Sequence, residues 1–156
     1  MGVDPGYGDT GVGFIQSKAG IYTYLSCDVI STKAKTPMQE RLQKIYEELS
    51  ALIGRGKPDL IAVEKLYFAQ NVTTAMAVAQ ARGVVLLVAA QASVPIVEFT
   101  PLEVKQALTS YGRADKRDVA RMVRTILSEP QLRAQNDAID ALAIALCAAF
   151  RNRQYA

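Results

Sequence analysis

The stretch Leu60-Ile61-Ala62-Val63-Glu64 determines how the rest of the chain is interpreted. Its first four residues are apolar without alternation, which is typical of a central strand buried on both faces of a sheet. A turn at residues 57–59 precedes it. Glu64 directly follows the apolar run, and ligand sites in open α/β sheets lie beyond the carboxyl ends of the strands. The stretch therefore predicts an α/β fold with an acidic side chain at the functional edge of its sheet.

The residues before this strand predict an antiparallel sheet and one helix. Three strands joined by hairpins are expected, at residues 1–4, 10–17 and 21–30. Apolar side chains then recur at steps of three and four from Met38 to Leu52, which indicates an amphipathic helix. A capping box of Thr36 and Gln39, with Pro37 in the first turn, is expected to begin it, and Gly54 to end it.

The residues after Glu64 alternate between helix and strand patterns. An alanine-rich helix is expected over 73–91 and a short strand over 95–99. Three helices follow: one that begins at Thr100, one over 115–127 and one over 135–151. The predicted order is β-β-β-α-β-α-β-α-α-α. It describes one domain over residues 1–156, a mixed five-stranded α/β sheet with helices on both faces.

Composition excludes several classes of protein. The chain has 156 residues and no histidine, which removes histidine-dependent triads, bases and metal ligands. Its two cysteines form neither a zinc motif nor a disulfide framework. Uninterrupted apolar runs fall short of the ~20 residues that cross a bilayer, and no signal peptide is recognisable, so a cytoplasmic protein is expected. A net charge of +3 permits a nucleic-acid partner without requiring one.

Four carboxylates form the candidate site. Asp4 and Glu64 end two strands, and Asp137 and Asp140 share one face of the last helix, in what is expected to be its first turn. Such a cluster repels itself unless a cation lies beside it. Ligands that are all oxygen favour Mg²⁺ or Mn²⁺, and two such ions about 3.5–4 Å apart promote in-line phosphoryl displacement.

Several short motifs carry a family resemblance. They are Gly2-Val3-Asp4-Pro5-Gly6, Thr10-Gly11, Ala62-Val63-Glu64-Lys65, Gln80-Ala81-Arg82-Gly83 and Asp137-Ala138-Ile139-Asp140-Ala141-Leu142-Ala143. Together, over essentially the whole chain, they resemble the RuvC family of bacterial Holliday junction resolvases. The resemblance implies an RNase H-like fold and a homodimer that makes two symmetric nicks across a four-way DNA junction with Mg²⁺ or Mn²⁺. It also implies that the four acids are the catalytic metal ligands, and that RuvA and RuvB are partners.

Basic and aromatic residues are candidates for DNA contact. Phosphate contacts are expected from basic residues in the last third of the chain, namely Lys105, Arg113, Lys116, Arg117, Arg121 and Arg124. For Arg121 and Arg124, a solvated basic helix face is an equally good explanation. The resemblance places Lys105 and Lys116 on the junction-binding surface. Tyr67 and Phe68 follow the Glu64 strand and are expected to stack on bases, or else to cap the core. Helix 73–91 is expected to form the dimer surface, or else only to cover the sheet. Close helix approach is expected at Ala75, Ala77, Ala79 and Ala81, and apolar contact from Met76, Val84 and Leu87.

Three other functions remain open from the sequence. A fragment of a sugar-kinase or actin-type ATPase also begins with an Asp-Gly strand turn, but such enzymes need two domains and more glycine-rich phosphate loops. A YqgF-like relative would act on RNA. A non-catalytic DNA-binding relative would have no reason to bury four acids. Assays of ATP binding, RNA cleavage and junction cleavage separate these possibilities.

Overall fold

The first three strands form an antiparallel meander in this computed structural model, which describes residues 1–65 and 72–153. They are β1 (Gly2–Asp4), β2 (Asp9–Lys18) and β3 (Ile21–Ser31). Ala19 and Gly20 connect β2 to β3 with positive φ angles of 51° and 80°, the conformation that matches the twist of a two-residue hairpin. The three predicted strands are thus confirmed.

Two parallel strands complete the sheet on the other side of β1. They are β4 (Ile61–Glu64) and β5 (Ile96–Phe99), and the order across the sheet is β3-β2-β1-β4-β5. β4 runs parallel to both β1 and β5. A helix precedes β4 and another precedes β5 in the chain, and parallel neighbours such as β4 and β5 need a crossover of this kind. The apolar run at 61–63 is fully buried, as expected for a central strand.

Helices cover both faces of the sheet. On one face, α1 (Met38–Gly56) and α2 (Val72–Gln91) pack against Val3 and Val63. On the other face lie α3 (Pro101–Thr109), α4 (Lys116–Ile126) and α5 (Asn136–Arg153), which pack against Ala62 and Phe99. The predicted element order and the mixed sheet with helices on both faces are confirmed.

Helix α5 lies unusually close to the sheet because glycines face it. A β-carbon on Gly2, Gly11 or Gly13 would lie inside 3.0 Å of the backbone of α5. At Gly13 the nearest backbone atom is the Leu142 nitrogen, 2.8 Å from that position. Ala141 to Ala148 are all buried in return. The all-round apolar character of this helix is therefore explained by its central place on the sheet.

The ends of helix α1 differ from the sequence prediction. Pro37 is the N-cap and no side chain caps the helix, so the Thr36–Gln39 capping box is wrong. The helix also continues past Gly54 to Gly56, and Lys57 in the left-handed conformation ends it. Gly54 has open space around its Cα, and one glycine in a helix costs only about 1 kcal/mol, too little to stop it.

Capping boxes begin both α3 and α4, the first at Thr100 as expected and the second at Asp115, which was predicted to be the first residue of the helix. The Thr100 side chain accepts a hydrogen bond from the Glu103 backbone N–H, and the Asp115 side chain accepts one from the Asp118 backbone N–H. In α5, Asp137 lies in the first turn but Asp140 lies one turn further in, because the helix begins at Asn136. The prediction that both acids occupy the first turn is wrong for Asp140.

One helix meets a length and composition criterion for crossing a membrane. The stretch Thr74–Gln91 of α2 is long and apolar enough to meet it, although polar residues such as Gln80 and Arg82 interrupt its apolar run. Ala81, Val85, Val88 and Ala89 of this helix are buried in the core beneath it. Only 22% of this stretch is buried, so packing on the sheet accounts for one face of α2 and leaves apolar side chains such as Met76 and Leu87 exposed on the other.

Candidate active site

Strand register brings Asp4 and Glu64 side by side. β1 and β4 are parallel, and Gly2 pairs with Ala62. Side chains two residues apart point to the same face of a sheet, so Asp4 and Glu64 project toward the face on which Gly2 meets α5. Each is the last residue of its strand. The two carboxylates therefore meet at the carboxyl edge of the sheet, as predicted.

The close approach of α5 brings the other two acids to the same edge. Asp4 pairs with Gly11 of β2, and Gly11 lies directly against the Asp137 carbonyl because it has no β-carbon. Asp137 and Asp140 are three residues apart, so they lie on one face of α5. The structure thus gathers all four predicted acids around the end of β1.

Electrostatics confirm that these carboxylates affect one another. Burial, followed by the charges of Glu64, Asp140 and Asp137, raises the pKa of Asp4 to about 8. Burial and the charge of Asp140 also raise the pKa of Glu64, opposed in part by a hydrogen bond with Asp4 and by Lys116. A carboxylate with so high a pKa lies where negative charge is in excess and water is scarce.

Two lysines contribute positive charge to the cluster. Lys116 Nζ donates a hydrogen bond to Asp140 Oδ2 at 2.9 Å. Lys105 lines the same cleft of about 260 Å³ as Asp4, Glu64, Asp140 and Lys116. The bond to Asp140 raises the pKa of Lys116, so this lysine is charged at neutral pH.

The four carboxylates have the ligand chemistry of a divalent-metal site. Asp4, Glu64, Asp137 and Asp140 offer only carboxylate oxygens, the ligands of hard cations such as Mg²⁺ and Mn²⁺. Burial is the largest cause of the raised pKa of Asp4, and the neighbouring carboxylates add a repulsion that a cation would relieve. As the side chains stand, no three acidic or cysteine side chains within 1–65 and 72–153 already surround a common metal position. Metal binding would require these side chains to rotate.

The remaining predicted DNA contacts divide into three groups. Arg113 and Arg117 are exposed on either side of the start of α4, near Lys116. Arg121 pairs with Asp118, while Arg124 donates to the Ala120 and Leu132 carbonyls. These two arginines thus make contacts within the protein. Tyr67 and Phe68 lie outside the described residues.

Buried polar side chains brace the turn that follows Asp4: Thr10, which belongs to the Thr10-Gly11 motif, and Arg41, which the sequence did not single out. Thr10 is fully buried, and its hydroxyl donates to the Gly6 carbonyl at 2.6 Å. Arg41 is only 7% exposed, donates to Thr32 Oγ1 at 2.8 Å and lies 4.6 Å above the Tyr7 ring. The burial of Arg41 could have been predicted from its position four residues before Ile45, which places it on the buried face of α1.

Comparison with known proteins identifies the family of this chain. The sequence model of the family described as Crossover junction endodeoxyribonuclease RuvC matches residues 1–148. The chain is 48% identical over 147 residues to the crossover junction endodeoxyribonuclease RuvC of Thermomicrobium roseum, covering 94% of this chain and 90% of that protein.

Two solved structures have the same fold. The structure of Thermus thermophilus RuvC superposes with a TM-score of 0.91 at 36% identity, over 99% of this chain and 95% of the other. The T. thermophilus RuvC in complex with Holliday junction substrate gives a TM-score of 0.89 at 34% identity, over 98% and 94% of the two chains. The fold is therefore RNase H-like, as expected. By sequence and fold, this chain belongs to the RuvC family of crossover junction endodeoxyribonucleases.

Proposed function

We propose that this chain resolves four-way DNA junctions by paired symmetric nicks, in recombination and repair, using two divalent cations held by Asp4, Glu64, Asp137 and Asp140. The observation that carries the proposal is the convergence of four acids at one sheet edge, with the pKa of Asp4 raised to about 8. A protein that only binds DNA gains nothing from burying like charges together. The junction complex of the T. thermophilus relative supports the choice of substrate.

The protein's own part in the reaction is to hold and orient. The family is one of metal-dependent nucleases, and bound Mg²⁺ or Mn²⁺ would activate the attacking water and stabilise the leaving oxygen. Asp4 and Glu64, on neighbouring strands, would fix the ligand oxygens on a rigid edge. Asp137 and Asp140 would supply ligands from α5. No side-chain base is needed, which suits a chain without histidine.

Basic residues around the acids would position the DNA backbone. Lys105 and Lys116 lie in the cleft itself, and Arg113 and Arg117 are exposed beside it. Phosphate contacts supply affinity and fix register without reading sequence. Lys116→Ala should weaken junction binding and reduce the salt dependence of log K by about one unit. The proposed stacking of Tyr67 and Phe68 on junction bases rests on the family resemblance and their place after Glu64.

We also propose that α2 forms a homodimer interface. Its exposed residues Met76, Gln80, Gly83, Leu87 and Ala90 follow one another at steps of four and three, the spacing of a helix-pairing seam. The side chains of Met76 and Leu87 are apolar and 74% and 51% exposed. Nothing lies within 4 Å of the β-carbon position of Gly83, so a second helix could approach closely. A two-fold dimer would present one acidic site to each of two opposed strands.

The remaining partners and the place of action follow from this role. RuvA and RuvB stay predictions that rest on the family resemblance. Chromosomal junctions as substrate would place the protein in the bacterial cytoplasm. Either Mg²⁺ or Mn²⁺ suits the carboxylate ligands, so the metal used in the cell is left to experiment.

A nicking assay tests the proposal directly. A synthetic mobile four-way junction and a linear duplex of the same sequence are incubated with the protein in Mg²⁺, Mn²⁺ or EDTA. Paired nicks on the junction alone, dependent on metal, are expected. Binding without cutting in every metal would favour a non-catalytic relative. Cleavage of RNA, or ATP binding without action on the junction, would favour the alternatives named above.

A further inference from the structure

The ion pair between Lys116 and Asp140 joins a flexible side chain to a rigid one. Asp140 is held within buried α5 and its side chain is 25% exposed, whereas the side chain of Lys116 is 76% exposed. The Lys116 backbone is fixed as the first residue of α4, behind the Asp115 capping box. The ammonium, at the end of a four-carbon stem, can move without disturbing the helix.

The ammonium lies where it interacts with the whole acidic cluster. Its charge counteracts the rise in the pKa of both Asp4 and Glu64, and Asp4 and Asp137 act back on Lys116. Lys116 therefore offsets the repulsion among the carboxylates in the metal-free protein. It also occupies an Asp140 oxygen at 2.9 Å, and a carboxylate oxygen bonded to an ammonium is less available to a cation.

We infer that Lys116 is the resident counter-ion of the acidic cluster, and that a divalent cation must displace its ammonium from Asp140. This inference rests on the proposed function, because it takes the four acids to be the metal ligands. It gives Lys116 an effect on metal affinity that is separate from any contact with a phosphate. A lysine that only binds DNA would not change metal binding in the absence of DNA.

The size of the effect follows from the exposure of the pair. Partly exposed ion pairs contribute modestly to stability, so the ammonium should be displaced without a large penalty. Removing it should tighten metal binding by about two- to fivefold, the range that corresponds to loss of one such pair. The metal-free protein should at the same time become less stable, because the carboxylates lose their counter-charge.

Isothermal titration of the full chain with MnCl₂, without DNA, tests the inference. Lys116→Ala is compared with wild type, Lys116→Arg and Arg117→Ala. Arg117 is the matched control, since it is the adjacent exposed residue and its loss removes the same formal charge. Tighter Mn²⁺ binding is expected for Lys116→Ala alone, and near wild-type affinity for Lys116→Arg. Thermal melts in EDTA should place Lys116→Ala below Arg117→Ala.

The control Asp140→Asn separates failure of the inference from failure of the proposed function. If wild type and Asp140→Asn bind Mn²⁺ equally, or neither binds it, both the acidic metal site and the inference are wrong. If Asp140→Asn weakens binding while Lys116→Ala and Arg117→Ala behave alike, the metal site stands and the counter-ion role is refuted. Weaker Mn²⁺ binding in Lys116→Ala would also refute it, because the lysine would then assist the metal.

Discussion

Replacing Gly11 with alanine should disrupt the active site without touching an acidic residue. The new β-carbon would lie far inside 3.0 Å of the Asp137 carbonyl oxygen, and both partners are backbone, so neither can rotate away. Either α5 or β2 must move by about 1 Å, and a misplacement of that size costs about 100-fold in rate when it affects reacting groups. Overpacking of this kind also destabilises a protein by about 1–3 kcal/mol.

The assay compares nicking rates on the four-way junction at saturating Mg²⁺ with stability measured by urea unfolding. Gly54→Ala is the matched control, since its β-carbon would meet no atom within 4 Å at an exposed position of α1. Alanine there should stabilise the helix by about 0.5–1 kcal/mol. Circular dichroism and junction binding establish that Gly11→Ala is folded. A folded Gly11→Ala that cuts at the wild-type rate would refute the argument that the contact between β2 and α5 positions the acids.

Four further outcomes test the site and its surroundings. Asp4→Asn and Asp140→Asn should each abolish nicking while junction affinity stays nearly unchanged in a gel-shift assay; residual nicking at wild-type rate would exclude that residue as a required ligand. In EDTA, the free energy of unfolding should fall as pH rises from about 4 to 8, by up to about 1.4 kcal/mol per pH unit for each proton. The reason is that folding raises the Asp4 pKa from 3.8 to about 8 and so favours its protonated state. Asp4→Asn should flatten this slope, and stability that increased with pH would contradict the assignment. Leu87→Glu should shift the protein toward monomer in analytical ultracentrifugation, whereas Ile21→Glu, at an apolar and more exposed residue of β3, should not. Identical sedimentation of both variants would argue against the α2 interface. Arg113→Ala should reduce the salt dependence of junction affinity by about one unit of slope in anisotropy titrations across salt, and an unchanged slope would remove Arg113 from the phosphate contacts.

Much of the candidate site could be predicted because its acids occupy recognisable local positions. Glu64 ends a short apolar run that is typical of a buried strand, and Asp4 ends the first strand before a Pro-Gly turn. The three-residue spacing of Asp137 and Asp140 follows from helix geometry alone. The N-cap at Thr100 was predictable in the same way, because Thr100 and Glu103 lie within a single turn. The capping box at Asp115 has an equally local pattern and was not identified.

The errors and omissions involve contacts that local sequence does not encode. Thr36 and Gln39 fit a capping box in sequence, but Pro37 takes the N-cap position instead. An arginine in an amphipathic helix is expected on its solvated face. Arg41 is buried instead, because Tyr7 and Thr32, which are distant in sequence, contact its guanidinium. Such pairings depend on how β1, β3 and α1 pack together.

The amino-acid sequence by itself determined the order of strands and helices, the all-oxygen donor set and the absence of histidine chemistry, because periodicity, turn residues and composition are local properties. Tertiary structure alone decided that the four acids meet, since this requires β1 and β4 to pair in parallel and α5 to approach β2 through Gly11. It also decided that Lys116 reaches Asp140, across 24 residues of chain. Distances between residues far apart in sequence are set by packing, and glycine permits that packing where any side chain would prevent it.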